Sequence, residues 1–180
     1  MQLSAFCGVS VDGFLARPDD GLDFLLAGEQ VPHGFPEFLA TVDVVVMGRR
    51  TFDVVRRLGH LPVYGGKPMV VLTRRPLAPP VAPGEPVETT AAEPAEIERQ
   101  LAARGFQHAY VDGGITIQRF LAAGCLDRMV ITRVPVLIGA GVPLFGPLPG
   151  DIQLRHAATR SLGAGMVQSE YEILPSAAAR

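Results

Sequence analysis

Three times in this chain a run of buried-type residues stops at glycine or paired arginines, and a helix or loop pattern begins at once. The most constraining case is Met47-Gly48-Arg49-Arg50-Thr51-Phe52. An apolar run from Val42 to Met47, broken only by Asp43, reads as a buried strand. Phe52, Val55 and Leu58 then recur at the spacing of one helix face. Arg49 and Arg50 therefore fall in the first helical turn, where each cation is disfavoured by a few tenths to about 1 kcal/mol. Arg56 and Arg57, at the other end, obey the dipole. An anion held by the helix N-terminus and clamped by the two arginines resolves the conflict. So does Asp53, four residues after Arg49, as a neutralising neighbour. The other two junctions are Leu72-Thr73-Arg74-Arg75 and Val111-Asp112-Gly113-Gly114. In an open α/β sheet such strand ends gather on one edge, and ligands bind in the crevice there.

A chain of 180 residues fits one domain with a substantial core, and a 48% hydrophobic content excludes a disordered chain. The net charge of −2 gives no global field for nucleic acid or an anionic membrane. Of 16 basic residues only Lys67 is lysine, a bias that genome composition can produce. Cys7 and Cys125 have neither CxxC spacing nor a histidine cluster, which argues against zinc or a disulfide framework and points to a reducing, cytoplasmic setting. The N-terminus runs straight into a strand-like segment without a basic leader, and no apolar run is long enough to span a bilayer.

In order, Gln2 to Val11 reads as a central strand, with Gly8 marking a close approach by a ligand or another backbone. Asp12-Gly13 breaks it, and a loop dense in turn formers runs through Arg17-Pro18-Asp19-Asp20-Gly21. Leu22 to Ala27 reads as a helical turn, and a short helix starts near Pro36. Pro62 to Pro68 is a loop before the strand Met69–Thr73. Leu77 to Glu93 reads as an extended surface excursion. A helix over Pro94–Arg104, a strand at Ala109–Val111 and a helix from Thr116 to Ala123 follow. Leu126 to Ile138 reads as one long strand bent at Pro135. Ile152–Thr159 and Met166–Ile173 form a closing hairpin, an antiparallel edge on a mixed sheet. The expected class is α/β: one domain over residues 1–174 with a mostly parallel central sheet flanked by helices, then a frayed tail at 175–180.

The nucleotide fingerprints GxGxxG and GxxxxGK[ST] are missing, so a phosphoryl-transfer enzyme has no support. Also missing is an acid about twenty positions after a glycine turn, which would mark a free ribose hydroxyl; arginines in its place point to NADP rather than NAD. Gly113-Gly114 lets a backbone approach a pyrophosphate, while Arg49, Arg74 and Arg75 supply cations for a further phosphate. A simple tight turn and a solvated strand end explain the same residues singly; their coincidence on three strand ends favours a ligand crevice.

The order Val11-Asp12-Gly13, Met47-Gly48-Arg49-Arg50-Thr51-Phe52, Val71-Leu72-Thr73-Arg74, Val111-Asp112-Gly113-Gly114 and Ile131-Thr132-Arg133-Val134-Pro135-Val136 resembles the dihydrofolate reductase fold family. It is similar in particular to the branch with the C-terminal reductase domain of bifunctional riboflavin-biosynthesis proteins. The resemblance covers nearly the whole chain and implies an NADPH-dependent reductase. It implies that Gly48, Arg49, Arg50 and Thr51 bind the cofactor's phosphates, and that Thr73, Arg74 and Arg75 bind the adenosine 2′-phosphate. Asp112, Gly113, Gly114, Ile115 and Thr116 would form the turn for pyrophosphate and nicotinamide ribose. Cys7 and Gly8 would border the nicotinamide, beneath the loop that begins at Asp12.

The substrate side departs from these relatives. Dihydrofolate reductases carry a carboxylate early in the helix before the Met-Gly-Arg strand. This chain has Pro32 or His33 near that place and Glu37 about a turn later, where a solvated helix-surface role is the usual fate of a glutamate. Asp12 and Glu37 are the catalytic candidates, and no metal ligand set is found. The expected reaction is hydride transfer to a heterocyclic substrate of the riboflavin-pathway reductase type. Dihydrofolate reduction is the alternative, and a non-catalytic NADPH- or flavin-binding protein is the rival from another class. The riboflavin-type resemblance also implies a homodimer, paired through the apolar segments Val134–Leu137 and Met166–Ile173.

Overall fold

The computed structural model describes residues 1–26, 31–78, 81 and 86–175. The expected Ala27 and most of the 175–180 tail lie outside the described residues. The order is β1 (Gln2–Ser10), β2 (Phe14–Ala16), α1 (Asp23–Leu26), α2 (Phe35–Ala40), β3 (Val44–Gly48), α3 (Arg49–Arg57), β4 (Met69–Leu72) and β5 (Val87–Thr90). Then come α4 (Pro94–Ala103), β6 (His108–Asp112), α5 (Gly114–Ala122), β7 (Arg128–Val134), β8 (Val142–Pro143), β9 (Leu154–Ser161) and β10 (Val167–Ile173).

Eight strands form one sheet in the order β5-β4-β3-β6-β1-β7-β10-β9. The first six run parallel, and β10 and β9 add the expected antiparallel hairpin. β2 and β8 make a separate two-stranded ribbon. The central strands are buried on both faces, which is why β3 reads as an unbroken apolar run: Val44, Val45, Val46 and Met47 are all 0% exposed. Right-handed crossovers leaving in opposite directions place the helices on opposite faces. Phe38 and Leu39 of α2 and Phe52 and Val55 of α3 join one core layer. Ile97 and Leu101 of α4 and Ile117 and Phe120 of α5 join the other.

Four sequence expectations are corrected. Leu77 to Glu93 is not all excursion: Val87–Thr90 pairs in parallel with β4 as the sheet's outer strand. Its only aliphatic residue is Val87, so its position comes from the free edge of β4 rather than from burial of its own side chains. The strand expected to run from Leu126 through Pro135 ends at Val134, because proline offers no N–H to continue a ladder. The helix expected from Thr116 begins at Gly114, with the Ile117 N–H donating to Gly113 O at 2.9 Å. Finally, α3 stops at Arg57, leaving Leu58 as its C-cap and 43% exposed.

Candidate active site

The sheet changes its winding direction between β3 and β6. Their ends are in register, with Met47, the last residue but one of β3, opposite Asp112, the last of β6. α3 leaves β3 toward one face and α5 leaves β6 toward the other, so two helix N-termini lie side by side at the carboxyl edge. Each is built on the same four-residue pattern, Gly48-Arg49-Arg50-Thr51 and Gly113-Gly114-Ile115-Thr116. The two patterns interlock. A Cβ on Gly48 would sit 2.8 Å from Thr116 Oγ1, and one on Gly113 only 2.1 Å from Thr51 Oγ1. Each threonine hydroxyl thus occupies the notch left by the other helix's glycine. Gly113 also has φ 93°, a conformation that glycine adopts without strain. Neither N-terminus has a side-chain cap, so its first N–H groups have no cap to satisfy them.

The arginines are shared between helix and loop. Arg49 Nε donates to Asp53 at 2.8 Å, and its Nη1 donates to the Pro76 carbonyl at 2.7 Å. The neutralising role for Asp53 is therefore realised, and Arg49 also ties α3 to the loop after β4. Arg50 pairs instead with Asp20, at 2.8 Å, in the loop after β2. Thr73 Oγ1 accepts from the Arg75 N–H at 3.1 Å and donates to the Arg75 carbonyl at 2.8 Å, fixing the turn that presents Arg74 and Arg75. These residues line a groove of about 570 Å³ together with Arg49, Glu93 and Arg119. Arg119 belongs to α5 and reaches Glu93 at 2.8 Å. Neither of those two was anticipated from the sequence.

Beside the interlocked helix starts, Cys7, Gly8, Tyr64, Asp112 and Gly113 border a cavity of about 240 Å³. A second cavity of about 250 Å³, lined by His33, Phe35, Thr132 and Met166, meets it over Cys7 and Gly8. Leu25 of α1 contributes to both, and its Cδ2 lies 3.0 Å from the point where a Gly8 Cβ would be. The close approach expected at Gly8 is made here by this leucine.

Asp112 is the chemical centre of the first cavity. The Tyr64 hydroxyl donates to its Oδ2 at 2.6 Å, and the Tyr110 hydroxyl donates to the Phe6 carbonyl at 2.8 Å. Burial raises the Asp112 carboxyl above its ordinary value, outweighing the hydrogen bonds it accepts from Tyr64 and the Gly113 N–H. Burial first, and Asp112 second, push Tyr64 and Tyr110 well above the usual phenol range and the Cys7 thiol up to about 12. All four shifts run toward the protonated forms. Sequence reading took Asp112 only as part of a turn, since Tyr64 approaches it from a 3₁₀ turn (Leu61–Tyr64) in a segment read as plain loop.

The two catalytic candidates lie elsewhere. Asp12 is exposed and accepts from the N–H groups of Gly139 at 2.8 Å and Ile138 at 3.2 Å, clasping two loops together. The Ser10 hydroxyl, and then those N–H groups, hold its carboxylate below the usual range. Glu37 is exposed in the first turn of α2, in a polar groove shared with Arg128 and Arg160 on the far side of Phe6. Neither residue lines the cavities that meet over Gly8. Of the remaining sequence candidates, Thr116 is buried at the interlock, and Ile115 is 64% exposed.

Comparison with known proteins places this geometry. The RibD C-terminal domain family matches residues 2–168. The uncharacterised protein YwjB of Bacillus subtilis is 29% identical over 168 residues, covering 92% of this chain and 94% of the relative. A Shewanella sp. PV-4 protein assigned to riboflavin biosynthesis has a structure that superposes with a TM-score of 0.89 at 34% identity, over 97% of this chain and 99% of that one. At the level of fold alone, the Enterococcus faecalis dihydrofolate reductase complexed with NADP(H) superposes with a TM-score of 0.62 at 17% identity, over 96% of both chains.

Proposed function

The chain belongs to the RibD C-terminal domain family, and on that premise we propose that it is an NADPH-dependent reductase acting on a heterocyclic substrate. The observation that carries this reading is the pair of interlocked helix starts, which open onto the cavity beside Cys7, Gly8 and Asp112. The residues fit the cofactor: two helix N-termini without side-chain caps lie beside a cavity, and Arg49, Arg74, Arg75 and Arg119 line a neighbouring groove. Gly48–Thr51 and Gly113–Thr116 would hold the pyrophosphate. Thr73, Arg74 and Arg75 would hold the 2′-phosphate, and Cys7 and Gly8 would border the nicotinamide. When bound, the cofactor supplies a hydride.

The chain's own residues do the rest. Leu15, Leu22 and Leu25 exclude water from the cavity. Asp112 is the acid placed to give up a proton there: burial shifts it toward its neutral form, and Tyr64 orients it through Oδ2. The second cavity, walled by Phe35, Met166 and the lid leucines, takes the planar ring to be reduced.

The substrate we favour is the ribosylaminopyrimidine of riboflavin synthesis. The fold also matches a Thermotoga maritima deaminase/5-amino-6-(5-phosphoribosylamino)uracil reductase, with a TM-score of 0.71 at 12% identity; this chain spans 56% of that protein. Dihydrofolate is less favoured, because among the described residues no carboxylate lines the Phe35 cavity. A homodimer through Val134–Leu137 and Met166–Ile173 would pair by side-chain packing rather than by extending the sheet at β10, which is already bonded to β7 and β9. Light scattering that finds only monomers at high concentration would reject a dimer. Among the described residues no helix is long and apolar enough to cross a membrane.

The deciding experiment is calorimetric titration with NADPH and NADH, followed by NADPH oxidation with pyrimidine and pterin candidates. Arg74→Ala/Arg75→Ala should weaken NADPH binding by roughly one to two orders of magnitude and leave NADH within about twofold. If the wild type binds neither dinucleotide, the reading fails. Binding without turnover of any candidate would favour a non-catalytic NADPH-binding protein.

A further inference from the structure

The groove that presents Arg74 and Arg75 also contains a carboxylate. β5 ends at Thr90, and the chain passes through Ala91 and Ala92 to Glu93, which line the opposite wall of that groove. Among the described residues, Glu93 is the one acidic side chain lining it. Its side chain is 70% exposed and meets Arg119 at 2.8 Å. It stands at the N-cap of α4 but makes no side-chain cap bond, so the helix start does not use it. One groove is therefore lined by groups of opposite preference. Arginines on the β4 side suit a dianionic phosphate, whereas a carboxylate on the β5 side suits a sugar hydroxyl donor and repels a dianion.

We infer that Glu93 sets the dinucleotide preference, accepting a hydrogen bond from the 2′-hydroxyl of NADH and opposing the 2′-phosphate of NADPH. Arg119 is the counter-ion of this device, paired to Glu93 until a phosphate enters the groove and competes for it. The inference rests on the NADPH reading above. It also restores the ribose-binding acid that the glycine-turn spacing lacks, supplied here by the N-cap position of α4.

Glu93→Gln keeps the side-chain shape and removes the charge, and the Glu93 carbonyl that accepts from Glu96 and Ile97 at 3.0 Å is untouched. Calorimetry with NADPH and NADH on intact protein is the test. Glu93→Gln should tighten NADPH by about fivefold and weaken NADH by a similar factor, as expected for one unit charge at short range in a solvated groove. Arg119→Ala, which leaves Glu93 without its counter-ion, should move the NADPH-to-NADH ratio the other way. Should neither variant move that ratio by more than about twofold while Arg74→Ala/Arg75→Ala abolishes the preference, Glu93 has no such role and the phosphate groove stands. If Arg74→Ala/Arg75→Ala also leaves the ratio unchanged, the NADPH reading itself falls.

Discussion

The starts of α3 and α5 use one pattern, Gly-x-x-Thr, at neighbouring strand ends, and they use it differently. On the α3 side the residue before the glycine is Met47, fully buried in the core; on the α5 side it is Asp112, opposite Met47 in the ladder. Gly48 has an ordinary φ of −74°, whereas Gly113 has φ 93°. The middle positions are Arg49-Arg50 in one and Gly114-Ile115 in the other. A Cβ on Gly114 would meet the Pro143 carbonyl oxygen at 2.8 Å and Leu15 Cδ1 at 3.0 Å. One side thus offers cations braced by Asp53 and Asp20, and the other offers bare backbone that approaches its neighbours closely. Placing the carboxyl on the second side puts an acid with a raised pKa beside the glycine turn that borders the cavity.

That contrast breaks most visibly at Gly113. Gly113→Ala forces both a positive φ and a methyl against Thr51, and should cost about 3 kcal/mol in urea denaturation. Thr51→Ala should not restore it, because the backbone strain remains. A smaller effect is expected at Asp112. Asp112→Asn should lower turnover roughly 10- to 100-fold if this group supplies the proton. In the wild type, turnover should fall as pH rises through the elevated Asp112 pKa, since only the protonated carboxyl can donate. Stability follows the same sign: a raised folded-state pKa gives a contribution present at low pH and lost as pH rises through it. The melting temperature of Asp112→Asn should therefore gain on wild type as pH climbs above the ordinary carboxylate range, and a constant difference would contradict a buried neutral acid. The smallest effect belongs to Gly48. Gly48→Ala needs no backbone change and meets a single hydroxyl, so about 1 kcal/mol is expected. Thr116→Ala in the same chain should recover most of it in a double-mutant cycle.

Much of this arrangement could be read from residue order because buried parallel strands write themselves as apolar runs, and their ends are marked by residues that cannot continue them. Val44 to Met47 and Val70 to Leu72 are such runs, and the glycines and arginines after them located the crevice. β5 was illegible for the converse reason. Four residues with one aliphatic side chain carry no signal of their own, and with the strand went Glu93 and the acidic wall of the phosphate groove. The Tyr64–Asp112 bond spans 48 positions and joins a short 3₁₀ turn to a strand end, so no periodicity announces it. Asp12 and Glu37 were singled out by residue type and neighbourhood, whereas side-chain direction governs their surroundings: one reaches the loop at Ile138 and Gly139, and the other points away from the Phe35 cavity.

The phenols around Asp112 give the molecule an optical property. The chain contains no tryptophan and three tyrosines, so its near-ultraviolet emission comes from those three rings. Tyr64 and Tyr110 both border the cavity that holds Asp112. Two of the three emitting rings therefore stand within the crevice, without any introduced dye. A dihydronicotinamide entering there would accept excitation energy from two of the three emitters at contact range, and loss of the Asp112 proton would quench the ring bonded to it.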